Sequence, residues 1–428
     1  MKINNIQDLN IESEVLPIFN YSLNMFTKQK ILEILKNPLQ SKAEIINRQN
    51  IFKGFNANMD VLKKYSYSVI YVTEVYYFLN NEKIEDLSQK AFKYKILTAK
   101  SEKARYIKKF NQLILFFHRL NLHYFSRLDL TQFPDDYKSV IKRILLFLSG
   151  FELHKYEGLV REHRLKDKHI IHLSKKINDL KSKGTISVFW KDLFQFEAYL
   201  SINLGILNNK FVFPNFNEKG IKLVGLFHPL IDTPVRNDFE TSSNVVVLNG
   251  PNMSGKSTFL KAVGLCMYCG HLGLGIPASY GEIPFCNNFS IEINRRDDIL
   301  NGYSHFMTEV MNLKKVLKSA ENGKRCFAVF DELFSGTNIE DASEICKTTI
   351  IGLSKYHNSF FIISTHIEEL KSVSNEQISN YYLDCKLIND RPAFTYILKK
   401  GWSDIKVGRI LFDKEGLNKI LKKTSYCK

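Results

Sequence analysis

VVVLNGPNMSGKSTFLKAVGL, residues 245–265, contains the pattern that decides how this chain is read. Three valines and a leucine form a short β-branched run, which predicts a buried strand. Gly250-Pro251-Asn252-Met253-Ser254-Gly255-Lys256-Ser257-Thr258 then matches G-x-x-x-x-G-K-[ST], and the following apolar residues carry helical spacing. Glycines let such a loop turn tightly, so successive N–H groups face one point, and the helix N-terminus adds its positive dipole. The expected ligand is a nucleotide phosphate chain. Lys256 is expected to reach the β- and γ-phosphates, and the Ser257 hydroxyl to ligand Mg²⁺.

A phosphate cradle alone only binds. Hydrolysis also needs a carboxylate beside the metal and a base beside the attacking water. Both are offered by CFAVFDELFSGTN, an apolar run ending in Asp331 and Glu332. Asp331 is placed to hold the metal shell and Glu332 to polarise water. SFFIISTHIEEL is a third strand-like run, and it delivers His366 to the same edge. That histidine is either structural or a sensor of the γ-phosphate. Working outward, short apolar runs alternate with helical stretches from about residue 220 onward, the pattern of an α/β sheet with crossover helices.

Residues 1–220 read differently. FTKQKILEILKNPL, KARYIKKFNQLILFFHRLNLHYF and YKSVIKRILLFLSGFELHKYEGLVREHRL repeat apolar residues at helical spacing, with breaks expected at Pro38, Pro134 and Gly184. The fold expected is therefore α+β and multidomain, an all-α domain over 1–220 followed by an α/β P-loop ATPase domain over 221–428. Aromatics in SYSVIYVTEVYYFL and FFHRLNLHYF serve either as core or as stacking faces.

Charge divides along the same line. Of 60 Lys+Arg and 44 Asp+Glu in 428 residues, the first 220 hold 35 and 22, a balance of +13, and the remainder is near neutral at +3. A basic half meets either a polyanion or only solvent. REHRLKDKHIIHLSKKINDLKSKG, residues 161–184, is the candidate nucleic-acid arm, or a solvated amphipathic helix. The 44% hydrophobic and 24% charged composition excludes a mostly disordered chain. No basic–apolar leader opens the sequence and no apolar run is long enough to span a bilayer. Seven cysteines, all from Cys266 onward, point to reduced thiols. A cytoplasmic protein without membrane contact is expected. Cys266 and Cys269 form a C-x-x-C on an apolar helical run and are expected to be core residues.

Together these segments resemble the ATPase domain of the DNA mismatch repair MutS family, a branch of the ABC-type ATPases. GPNMSGKST differs from the usual GPNMGGKST only at Ser254. DELFSGTNIEDA resembles DEIGRGTSTYDG, with Ser335 in place of the arginine, and STHIEEL resembles ATHYHEL. RRDDILNGYSHFMTEVMNL resembles the signature segment, in which Ser304 would approach the nucleotide of a partner subunit. His228–Ile231 and the Asn237-Asp238 pair stand where the family packs a segment near the adenine. FTKQKILEILKNPLQSKAEIINRQNIFKGF resembles the start of the family's helical core, so residues 1–220 would be core and lever helices.

The resemblance implies a homodimer with two composite ATP·Mg²⁺ sites, acting on duplex or branched DNA in repair or recombination. It also implies a short form, because the core-like segment starts near residue 20, before a Phe-x-Glu mismatch wedge or connector domain could fit. Mismatch recognition by that wedge is therefore not expected. The alternative is an ATP-switched protein that docks another protein or structured RNA.

Overall fold

The computed structural model describes residues 2–80, 94, 99–293, 305–334, 336–373, 375–388, 391–405 and 407–423. Its contacts divide the chain into two units. One comprises Met1–Ile18, Leu35–Ile46 and Ile206–Lys428, and the other Phe19–Ile34 and Asn47–Gly205. This division differs from the expected boundary at 220/221. The opening residues belong with the sheet-containing unit because β1 (Lys2–Asn5) pairs in parallel with β7 (Asn288–Glu292). The Asp8 carboxylate also accepts the Ile293 N–H at 2.7 Å, giving a backbone donor at the strand end a partner.

Seven strands form the main sheet, in the order β1, β7, β8 (Cys326–Phe330), β9 (Phe360–Ser364), β5 (Val245–Asn249), β10 (Ile378–Ile388) and β11 (Arg391–Lys400). All neighbouring pairs are parallel except the β10–β11 hairpin. VVVLN, CFAVF and FFIIS are buried at all five positions, as continuous apolar runs require when both faces of a parallel sheet are covered. A second sheet of four strands runs in the order β2 (Asn215–Asn217), β6 (Tyr280–Pro284), β3 (Ile221–Leu226) and β4 (Asn237–Thr241). The strand expected in SFFIISTHIEEL ends at Ser364, and the IEELKSV stretch beyond it forms a five-residue 3-10 turn at Glu368–Ser372.

The connections put the site where it is. From β5 the chain goes to the β7 side of the sheet, whereas from β9 it goes to β10 on the other side of β5. The connections therefore leave β5 and β9 toward opposite edges of the sheet, and loops at the C-terminal strand ends open a crevice there.

In the other unit, helices Val69–Asn80, Lys100–Arg119, Asp135–Ser149, Leu153–Arg161 and Asp167–Ser182 bury the apolar stripes read from the sequence. Much of its core is aromatic. Phe117 meets Phe147, Phe151 and Phe189 at centroid distances of 5.6, 5.2 and 5.3 Å, in tilted edge-to-face pairs that suit the ring quadrupole. Pro134 precedes helix Asp135–Ser149, and Gly184, with φ 68°, separates two helices where a side chain would be strained. Among the described residues no helix is long and apolar enough to cross a membrane.

Candidate functional site

Gly250 (φ 143°) and Gly255 (φ 95°) occupy backbone regions that L side chains rarely adopt, so the loop after β5 needs glycine at both. Met253 takes a left-handed conformation (φ 70°) and its side chain is 73% exposed. The helix Lys256–His271 begins at once, so the positive end of its dipole lies at the loop.

Lys256 is almost fully buried there. Its Nζ donates to the carbonyls of Gly250 at 3.0 Å and Pro251 at 3.3 Å, and lies 3.2 Å from His366 Nε2. Burial lowers its pKa to about 8, with the nearby Asp331 opposing the shift. An ammonium so poorly solvated gains strongly from an incoming polyanion.

The carboxylates come from the end of β8. Ser257 Oγ donates to Asp331 Oδ2 at 2.5 Å, so the two expected metal ligands already touch. Asp331 N donates to Glu292 O at 2.9 Å, holding the turn against β7. Glu332, at φ 53°, accepts at Oε1 from His366 Nε2 at 2.5 Å, and the same oxygen is 4.0 Å from Lys256 Nζ. A left-handed non-glycine residue costs about 1 kcal/mol or more and persists where its surroundings impose it.

Here the imposing residue is Ser364 at the end of β9. Its Oγ accepts the Glu332 N–H at 2.8 Å and donates to Asp331 Oδ1. Sequence reading gave this residue no role although it opens the STHIEEL segment; its signal is a hydroxyl closing an otherwise apolar strand. Asn249 was missed too. Its side chain exchanges two hydrogen bonds with the Ser403 backbone, at 3.1 and 3.2 Å, latching the segment around Trp402 beside the loop. Glu309, buried, accepts the Phe334 N–H at 3.0 Å and supports the chain just beyond Glu332.

Of the residues singled out from the sequence, Gly250, Pro251, Asn252, Met253, Ser254, Gly255, Lys256, Ser257 and Thr258 form one loop and helix start. Asp331, Glu332 and His366 meet that loop. Ser304 and Ser335 lie outside the described residues. A cavity of about 370 Å³ adjoins Ser254, Gly255 and Thr258 and is walled by His228, Ile231 and Tyr396. Asn237 fixes one wall, donating to Tyr396 O at 3.0 Å and accepting from Leu398 N at 2.7 Å. Asp238 instead braces β3 by accepting the Gly225 N–H at 2.8 Å. Cys266 and Cys269 are fully buried, and burial raises both thiols.

The residues present fit a nucleotide with Mg²⁺. A buried cation, a hydroxyl–carboxylate pair and a glycine loop converge, and Ser254 Oγ is buried with no hydrogen-bond partner among the described residues. A ligand oxygen reaching this loop would give that hydroxyl a partner.

The family model for MutS domain V matches residues 246–421. The DNA mismatch repair protein MutS of Fusobacterium nucleatum subsp. nucleatum is 31% identical over 234 residues, 50% of this chain and 26% of that protein. The protein of the same name from Natronomonas pharaonis is 30% identical over 203 residues, 46% of this chain and 24% of its own length. For Petrotoga mobilis the identity is 27% over 305 residues, covering 66% of this chain and 36% of the relative. In these three comparisons the chain spans only about a quarter to a third of the relative's length.

Proposed function

Because this chain belongs to the MutS family, we propose that it binds and hydrolyses ATP with Mg²⁺ and couples nucleotide state to DNA contact in repair or recombination. The observation that carries this reading is the convergence of Lys256, Ser257, Asp331, Glu332 and His366 at the strand ends. Lys256 and the loop N–H groups take the β- and γ-phosphates. Ser257 and Asp331 hold the metal, whose charge would offset that of the phosphate oxygens. Glu332 accepts the proton of the attacking water, and His366, bonded to Glu332, orients it and stands beside the γ-phosphate. The cavity walled by His228, Ile231 and Tyr396 receives the base.

In domain terms, residues 221–428 are proposed as the ATPase and 1–220 as core-like helices, with the opening residues adding a strand to the ATPase sheet. The active form is a homodimer in which Ser304 of each subunit completes the other's site. Met253 on the loop and Ile339 at the helix start after Glu332 support this, since both are apolar and at least 73% exposed. DNA, duplex or branched, meets the basic helical half. Helix Asp167–Ser182 buries Ile170, Leu173 and Ile177 while Lys168 and Lys175 face solvent, which suits phosphate contact.

A two-part experiment tests this. Lys256→Ala should lower ATP affinity about a hundredfold or more, read by equilibrium binding of a fluorescent analogue, because two to three charge-assisted bonds are lost. Duplex titration across a salt series, with and without ATP, should give affinity that falls steeply with salt and changes with nucleotide. Duplex binding that ignores both salt and ATP sinks the DNA half of the proposal. Unchanged ATP affinity in Lys256→Ala sinks the other half.

A further inference from the structure

A second hollow, of about 450 Å³, opens in the helical unit between the Ser66–Ser68 segment, the end of helix Lys100–Arg119 and helix Leu153–Arg161. Tyr67, Tyr71, His118, Arg119, His123 and Arg161 face it. Its one described lining carboxylate, Glu157, is paired with Arg161. The balance is therefore cationic on its two arginines alone. The volume lies in the range of small-molecule sites and exceeds what a bare phosphate needs.

The walls are set in advance. Arg119 Nε donates to Ser66 O at 2.5 Å and Nη2 to Ser66 Oγ at 2.9 Å, which fixes the guanidinium and leaves further N–H donors for a ligand. Tyr67 is anchored from behind, its hydroxyl accepting from Asn24 Nδ2 at 2.6 Å and bonding to the buried Glu197. Glu197 in turn accepts from Thr27 Oγ1 at 2.6 Å and Tyr65 at 2.8 Å, so this wall rests on a closed polar network. The Tyr71 hydroxyl, by contrast, has no hydrogen-bond partner among the described residues. His118 is held below its ordinary pKa by burial, with His154, His123 and Arg161 acting in the same direction against Glu157. An anion seated among these groups would offset their mutual repulsion.

We infer that this hollow binds a nucleotide bearing a terminal phosphate, with Arg119, Arg161 and His123 on the phosphate and the Tyr71 ring against the base. Two guanidiniums and an imidazole offer enough donors to engage the three terminal oxygens of a phosphomonoester, whereas an internal diester presents only two. Tyrosine faces accept any base by stacking. The inference rests on the helical unit alone and stands apart from the ATP site.

The test uses the full chain carrying Lys256→Ala, which silences the ATP loop. Anisotropy titrations compare short single strands phosphorylated at both ends with the same strands phosphorylated at neither. The expected result is a preference of about tenfold or more for the phosphorylated strand. Arg161→Ala, at an exposed position, should abolish that preference, and Tyr71→Leu should weaken binding of both strands. Competition by free deoxynucleoside monophosphate at similar concentration identifies single nucleotides as the natural occupant. Competition only by phosphorylated strands identifies strand ends, and either outcome supports the site. Equal affinity for the two strands, or a preference that survives Arg161→Ala, overturns it.

Discussion

If Glu332 is the proposed base, Glu332→Gln should separate nucleotide binding from hydrolysis, and the geometry allows the size of the effect to be worked out. Glutamine has nearly the shape of glutamate, and the Glu332 backbone is held through its own N–H by Ser364 Oγ, which the substitution does not touch. Lys256 keeps its carbonyl partners and the charge of Asp331, and Ser257 keeps its bond to Asp331. ATP affinity should therefore change by no more than about threefold. What is lost is a proton acceptor. A positioned general base supplies about a hundred- to ten-thousandfold, or roughly 3–5 kcal/mol of barrier at 1.36 kcal/mol per decade. Single-turnover hydrolysis in Mg²⁺ should slow accordingly, and the variant should accumulate in its ATP-bound form, read by size and by retained nucleotide. His366→Ala should cost less, because that ring acts through Glu332 and lies 3.2 Å from Lys256 without replacing either. A Glu332→Gln protein that hydrolyses ATP within about threefold of the parent rate refutes the base assignment.

Three other substitutions test the packing. Burial raises the Glu292 carboxyl from its ordinary 4.5 to about 7, with Asp8 adding to the shift and Ser290 and Asn312 opposing it. Between those values the folded protein keeps a proton that the unfolded chain has lost, so this contribution is complete below pH 4.5 and disappears as pH rises through 7. After allowance for residual solvent contact, about 2 kcal/mol should be lost relative to Glu292→Gln over that window, and a pH-independent difference in urea midpoints would contradict the burial argument. Gly54→Ala would put a Cβ 2.5 Å from the Phe133 ring and 2.9 Å from Gln132 O, costing about 1–3 kcal/mol in thermal or urea unfolding. Gly158→Ala, on a helix with nothing within 4 Å, should instead stabilise by about 0.5–1 kcal/mol, and equal effects at the two positions would show that the close contact does not govern the outcome.

The phosphate loop was legible from sequence for a physical reason. Wrapping a ligand with consecutive backbone N–H groups requires consecutive residues, so the whole cradle lies in nine positions after one strand. The same holds for the three central strands, because burial on both faces demands uninterrupted apolar runs. Hydrophobic periodicity likewise exposed the helices, and it placed the breaks at Pro134 and Gly184.

Long-range partners left no such local trace. β1 reads as an unremarkable KINN, and only its pairing with β7, more than 280 residues away, moves the opening segment into the sheet. Ser364 looks like any strand terminus until it is seen to join the Asp331 carboxylate to the Glu332 backbone. That bridge explains how two adjacent acids can point at different tasks. Asp331 is turned toward Ser257, and Glu332 is turned toward His366 by a left-handed backbone that few residues tolerate unaided. Separate roles for neighbouring carboxylates thus depend on a hydroxyl from another strand. Ser364→Ala should on this argument impair hydrolysis while leaving Asp331, Glu332 and His366 unchanged, because the positions of both acids, not their identities, would be lost.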